Sequence, residues 1–370
     1  MGSLEREKGY LYWLCSRVPG LGAVTVRRLG ERFGSFEAAY YIEGTELERQ
    51  GVFARRSQLQ AYEQAKGELG RALEEYQSLG ERGIGFVTPL DSEYPKRLRH
   101  IYDYPMGLWF KGKLPREDGP SVAVIGARSC TSYGEQVAEY MGRELCQAQV
   151  QIIGGLALGI DSAGHRGALK AGGETWGVLG CGINICYPKS NYPLYCQMLE
   201  RGGVLSEYAL SQPPRSGNFP VRNRLISALA DVILVIEAKD KSGSLITARL
   251  GLDQGKEIFA LPGRVTDALS AGCNHLIRDG AAILTSPGDV LEYLGITWGK
   301  EMILYEKSNK GLAKIEKMVY SCLDSEPRHL EQIMVQTGLP AGHCMSALLE
   351  LELEGFAVRT SGQHYMKTIT

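Results

Sequence analysis

One feature constrains this chain more than any other. Between residues 121 and 285 short apolar runs return at intervals, each followed by a turn and a helical stretch. The runs are SVAVIG (121–126), QIIGG (151–155), TWGVLG (175–180), VLSEY (204–208), DVILVIEA (231–238), EIFALPG (257–263) and AAILT (281–285). They are β-branched and apolar on both faces, as strands of a parallel sheet covered on both sides must be. The intervening stretches have helical character. In TSYGEQVAEYMGRELCQAQ, Thr131 or Ser132 stands at the N-cap position. The pattern predicts an α/β fold over residues 86–295, an extended Rossmann-like, doubly wound and mostly parallel sheet. In that architecture ligands bind at the carboxyl ends of the strands.

The flanks read differently. Residues 1–85 form a small helical domain of the SAM or helix-hairpin-helix kind, with twelve basic and twelve acidic residues. Its run LCSRVPGLGAVTVRRLGERF reads as helix, glycine hairpin and helix. Such a hairpin can present free amides to a phosphate, with Arg27 and Arg28 nearby, but a packing hairpin is the preferred reading. Residues 296–309 read as a polar linker. Residues 310–370 follow as a winged-helix domain: HLEQIMVQTG, the turn LPAG, the helix HCMSALLELELEG, and a hairpin turning at Ser361-Gly362.

Composition narrows the function. At 370 residues the chain exceeds one ordinary domain, and 44% hydrophobic residues can fill a sizeable core. The formal net charge is −1, so a nucleic-acid site must be a local concentration of Lys and Arg. Nine scattered cysteines form no CxxC pair and no zinc spacing, which predicts reduced thiols and no metal. No signal peptide and no 18-residue apolar stretch is evident, so a cytoplasmic protein without a membrane span is expected.

Anion-binding features gather at the strand ends. Gly126 closes the first strand and Arg128 follows, where free amides and a guanidinium suit a phosphate. The dinucleotide fingerprint GxGxxG is absent, and no acidic residue follows the second strand to take a ribose hydroxyl, so no nicotinamide cofactor is expected. Gly154, Gly155 and Gly159 let the backbone approach a ligand. Asp161 and His165, four apart, share a helix face, but no third ligand supports a metal site. A capping Asp and a packed His are preferred. Lys189 and Asn191 lie at the mouth of the next helix. LSQPPRSGNFPVRNRLISALA (210–230) carries Arg215, Arg222 and Arg224 with no acidic residue. There Phe219 can stack on a base, and Asn223 stands between two arginines. Ser242, Gly243 and Ser244 open a further helix as an amide-rich seat. Leu276 and Ile277 read as core or subunit contacts.

The acid/base equipment of an enzyme is missing from this pattern. GxSxG is absent, and no histidine flanks a Ser or Cys in a recognisable setting. The asymmetry favours a binding protein, with no catalytic residues and no cofactor. The rival reading is a nucleotide-binding or nucleoside-monophosphate-hydrolysing Rossmann enzyme. It would need a PGGxGTxxE-like block, whereas SGSLITARLGLDQG has Thr247 and Arg249 but no Glu.

VAVIGARSCTSYG, GGLALGIDSAGHRGAL, GVLGCGINICYPKSN, FPVRNRLIS, VIEAKDKSGSLITA and ALPGRV with AGCNHLIRDGA resemble, in order and spacing, the DNA-processing protein A family (DprA/Smf). The resemblance spans about 160 residues of the central domain. It implies a homodimer that binds single-stranded DNA and loads the RecA recombinase in natural transformation and recombination, with single-strand-binding protein as a further partner. It carries DNA contacts over to Arg128, Lys189, Asn191, Arg222, Asn223 and Arg224. Two departures stand out: Ala127 where the family often has a hydroxyl, and Gly154-Gly155 in place of Ser-Gly. Weaker contacts through the remaining backbone amides are expected there.

The winged helix is expected to bind protein. Its reading helix, residues 341–354, has Glu350, Glu352 and Glu354 and no Lys or Arg, whereas a groove-reading helix needs cations or amides.

Overall fold

A computed structural model describes residues 2–297 and 312–368. Beyond residue 297, the expected linker lies outside the described residues. The chain opens with six helices: α1 (Ser3–Arg17), α2 (Ala23–Phe33), α3 (Phe36–Tyr41), α4 (Gly44–Arg49), α5 (Arg56–Ala65) and α6 (Leu69–Ser78). α1 buries Leu11, Tyr12, Trp13 and Leu14, and the Trp13 indole donates to the Ala65 carbonyl at 2.7 Å. Tyr12 packs edge-on against Phe86 with centroids 5.1 Å apart, and Phe86 lies 4.8 Å from Trp109. This aromatic cluster joins the helices to the edge of the sheet, burying large rings that neither part could cover alone.

Among the described residues the sheet has nine strands: β1 (Gly85–Val87), β2 (Leu108–Gly112), β3 (Ser121–Ile125), β4 (Gln151–Gly154), β5 (Thr175–Val178), β6 (Gly203–Ser206), β7 (Val232–Val235), β8 (Glu257–Ala260) and β9 (Ala282–Ile283). Their spatial order is β1-β2-β6-β5-β4-β3-β7-β8-β9. The expected strands all form, one to four residues shorter than the apolar runs. β1 and β2 add an antiparallel margin that the alternation did not announce.

Helices cover both faces: α7 (Ser132–Gln147), α8 (Ile160–Lys170), α9 (Tyr192–Arg201), α10 (Asn218–Leu229), α11 (Gly243–Asp253), α12 (Ala271–Arg278) and α13 (Pro287–Tyr293). Strand alternation sorts the core. Val122 and Val124 of β3 pack with Val137 and Met141 of α7, while Ala123 and Ile125 pack with Leu225, Ile226 and Leu229 of α10. After β6 the chain returns to lay β7 beside β3. Reversal of strand order there opens a crevice at the carboxyl ends of the central strands.

The last part is a winged helix: α14 (Lys314–Ser321), β10 (Arg328–His329), α15 (Leu330–Thr337), α16 (Ala341–Leu353), β11 (Ala357–Arg359) and β12 (His364–Lys367). The wing turns at Ser361-Gly362 as expected, with Gly362 at φ +67°. β10 pairs with β12 as a third strand.

Candidate nucleic-acid interface

A pocket of about 300 Å³ opens at the crevice, lined among others by Gly126, Arg128, Asp161, Phe219, Arg222, Asn223, Ser242, Gly243 and Ser244. Four segments distant in sequence thus meet: the β3–α7 turn, the start of α8, the start of α10 and the start of α11.

The anion seats expected at the strand ends are largely filled from within. At the start of α7 the buried Glu237 carboxylate accepts the Thr131 amide at 2.9 Å and the Thr131 hydroxyl. At the β4–α8 turn Asp161, the second residue of α8, accepts the Gly155 amide at 2.9 Å and draws on the amides of Ala157 and Gly126. Burial nonetheless pushes the Asp161 carboxyl above its ordinary range, because desolvation outweighs Arg222 and those amides. Gly126 and Gly155 therefore do not offer free amides; their lost side chains have internal reasons. A Cβ on Gly155 would stand 2.8 Å from both Arg222 Nη2 and Asp161 Oδ2. Gly159, at φ +74°, would drive a Cβ to 2.3 Å from the Ala127 carbonyl. Asp161 and His165 form no joint site. Instead of capping its own helix, Asp161 ties back to the β4 turn, while His165 is fully buried with Nδ1 2.6 Å from Thr175 Oγ1. Burial holds that imidazole down at about 3, so it is neutral.

The arginines of α10 divide by direction. Arg222 is buried; its guanidinium donates to the carbonyls of Gly155, at 2.9 Å, and Val178. Burial lowers it to about 10. Arg224 points the other way, its Nε 2.8 Å from Asp103 Oδ2 and its Nη2 2.8 Å from Glu207 Oε1. It lines a separate crevice against the glycine hairpin of residues 19–22. Asn191 is likewise committed, donating to the Leu156 carbonyl at 3.0 Å and Ser162 Oγ at 2.9 Å. Sequence spacing put these side chains on one patch; helix periodicity and the carboxylates of Asp103 and Glu207 separate them.

What remains open lies at the mouth. Arg128 is exposed, its guanidinium 5.5 Å from the centre of the Phe219 ring. Tyr187, which precedes a cis bond to Pro188, adjoins Phe219 with centroids 5.6 Å apart and rings tilted by 32°. Lys189, Arg215, Lys239 and Lys241 are exposed; they do not line the pocket themselves but stand within three residues of Tyr187, Ser216 or Ser242 around it. Among the described residues none of these five cations makes an ion pair. At the start of α11 the Ser242 hydroxyl caps the Ser244 amide at 3.3 Å and meets Ser244 Oγ at 2.7 Å. Asn223 reaches the Gly243 carbonyl at 3.5 Å. This helix start faces the pocket with no carboxylate upon it, and its dipole favours an anion. Sequence reasoning missed Lys239 and Lys241, although they stand within three residues of the Ser242 cap, and Tyr187.

Such an arrangement suits a chain of phosphates with interleaved bases: separated cations, an amide seat and two adjoining rings. Residues 85–295 match the family described as DNA recombination-mediator protein A, and residues 306–363 match the DprA winged helix domain. Protein Smf of Synechocystis is 31% identical across 96% of this chain and 98% of its own length. The DNA processing protein DprA of Streptococcus pneumoniae is 44% identical across 55% of this chain and 71% of its own. The crystal structure of that S. pneumoniae protein aligns with a TM-score of 0.67 at 34% identity, over 77% of this chain and 97% of that one. A Helicobacter pylori DNA processing protein A, described for its single-stranded DNA binding mode, aligns at 0.52 with 32% identity, over 57% of this chain and 95% of that one. Sheet, winged helix and sequence agree: this chain belongs to the DNA recombination-mediator protein A family of DNA-processing proteins.

Proposed function

We propose that the protein binds single-stranded DNA without strong sequence preference at the pocket mouth and loads RecA onto it, in DNA uptake and recombination. Arg128 and Lys189 take phosphates, the α11 start with Ser242, Gly243 and Ser244 takes another, and Phe219 with Tyr187 supports a base. Asn223 borders the seat. Arg222 lends positive potential from the floor, whereas Arg224 and Asn191 hold the scaffold. The carrying observation is the Arg128 guanidinium, exposed, free of carboxylate partners among the described residues and poised over an aromatic ring. Little at the pocket suits group transfer: among the described residues its one lining carboxylate, Asp161, accepts the Gly155 amide. We therefore assign it a binding role without a cofactor. A homodimer working in the cytoplasm would present two mouths to one strand and gain avidity.

The test is RecA filament assembly on DNA coated with single-strand-binding protein. The wild type should accelerate assembly and Arg128→Ala should not. Failure of the wild type to accelerate it refutes loading. If oligo-dT binding also fails, mononucleotide hydrolysis becomes the reading to assay.

A further inference from the structure

The helix α16 is apolar on two opposite faces. Cys344, Ala347, Leu348 and Leu351 are buried in the core of the winged helix. On the other side Met345, Leu349 and Leu353 are 52%, 56% and 74% exposed. Spaced four residues apart, they form one line along the outward face. A helix with one wet face would be polar there; this one carries a second apolar stripe. At 100° per residue, Glu350 falls on one side of the stripe and Glu352 on the other. Both are exposed, and neither makes an ion pair among the described residues. α16 itself has no Lys or Arg.

We propose that this stripe docks a basic amphipathic protein segment, with apolar side chains on Met345, Leu349 and Leu353 and Lys or Arg against Glu350 and Glu352. Charge decides between the occupants. Duplex DNA would bring phosphates to an acidic border, against the sign required of a groove-reading helix. A second copy would face carboxylates with carboxylates. A basic segment satisfies stripe and border together. The inference concerns a surface separate from the strand-end pocket and does not depend on what that pocket binds.

The experiment uses the full chain and a labelled synthetic peptide of Leu and Lys at helical spacing. Its controls are the same peptide with Glu for every Lys and a peptide of scrambled order. Anisotropy should show the Leu/Lys peptide binding at least tenfold tighter than either control. Joint Met345→Ser, Leu349→Ser and Leu353→Ser should weaken it at least tenfold. Glu350→Gln with Glu352→Gln should weaken it severalfold and flatten its salt dependence. Oligo-dT affinity should stay unchanged in both variants. Peptide binding indifferent to both sets overturns the proposal. So does loss of duplex-DNA binding, or of a sedimenting dimer, in the stripe variant. If circular dichroism shows that the triple variant misfolds, the exposed Glu→Gln pair decides.

Discussion

The floor and the mouth of the strand-end pocket are both rich in charge, and they use it in opposite ways. On and behind the floor, Asp161, Glu237, Arg222 and Arg224 are buried or nearly so, and each is bonded to an amide, a hydroxyl, a carbonyl or an opposite charge. At the mouth Arg128, Lys189, Arg215, Lys239 and Lys241 are exposed, with no carboxylate against them among the described residues. Buried charges must be compensated inside the fold, whereas an unpaired exposed cation costs little and stays available to a ligand. The difference separates arginines that hold the site from those that serve it. A count of Lys and Arg along the chain cannot do so.

The largest effect should come from the floor. Arg222→Ala leaves Asp161 buried without its neighbouring cation and should cost about 3–5 kcal/mol of stability in urea unfolding. A variant as stable as the wild type would erase the distinction between floor and mouth. The neutral histidine buried in α8 offers a pH test. Because burial depresses His165 from 6.5 to about 3, only the unfolded chain takes up its proton in that window. Its contribution therefore falls as pH drops below 6.5, by up to about 1.4 kcal/mol per pH unit. Nitrogen chemical shifts should report this imidazole neutral at pH 5; a protonated ring there would contradict its placement.

At the mouth, alanine at Lys189, Lys239 or Lys241 should leave stability within about 0.5 kcal/mol. If about four phosphates are neutralised, log K for oligo-dT should fall against log salt with a slope near −3, and each substitution should flatten it. A slope near zero would remove the mouth as an electrostatic site. The smallest effect belongs to the winged helix: deleting residues 312–370 should change oligo-dT affinity by under about 0.7 kcal/mol, within threefold. A hundredfold loss would bring that domain into the interface.

Much of this was legible in the sequence. The β-branched runs marked seven parallel strands, because burial on both faces demands such composition. The Ser-Gly turn marked the wing, and Arg128, Phe219 and Ser242–Ser244 do line one pocket. The antiparallel β1 and β2 were not legible, being short and lacking sustained alternation. Nor were the partners of Arg224. Asp103 and Glu207 lie 121 and 17 residues away, and nothing local marks such a pairing. The glycines misled in a physical way. An open strand end and a tightly filled one both require residues without side chains, and here Asp161 and Arg222 do the filling.

The most direct test is oligo-dT binding by anisotropy with Arg128→Ala and Arg224→Ala side by side, each checked by urea unfolding. The account predicts that Arg128→Ala loses more than about 1 kcal/mol of binding at unchanged stability. It predicts that Arg224→Ala loses stability, because the partly buried Glu207 is left without its cation, while the folded fraction binds as the wild type does. Equal loss of binding in both, or loss only in Arg224→Ala, would contradict the division between floor and mouth.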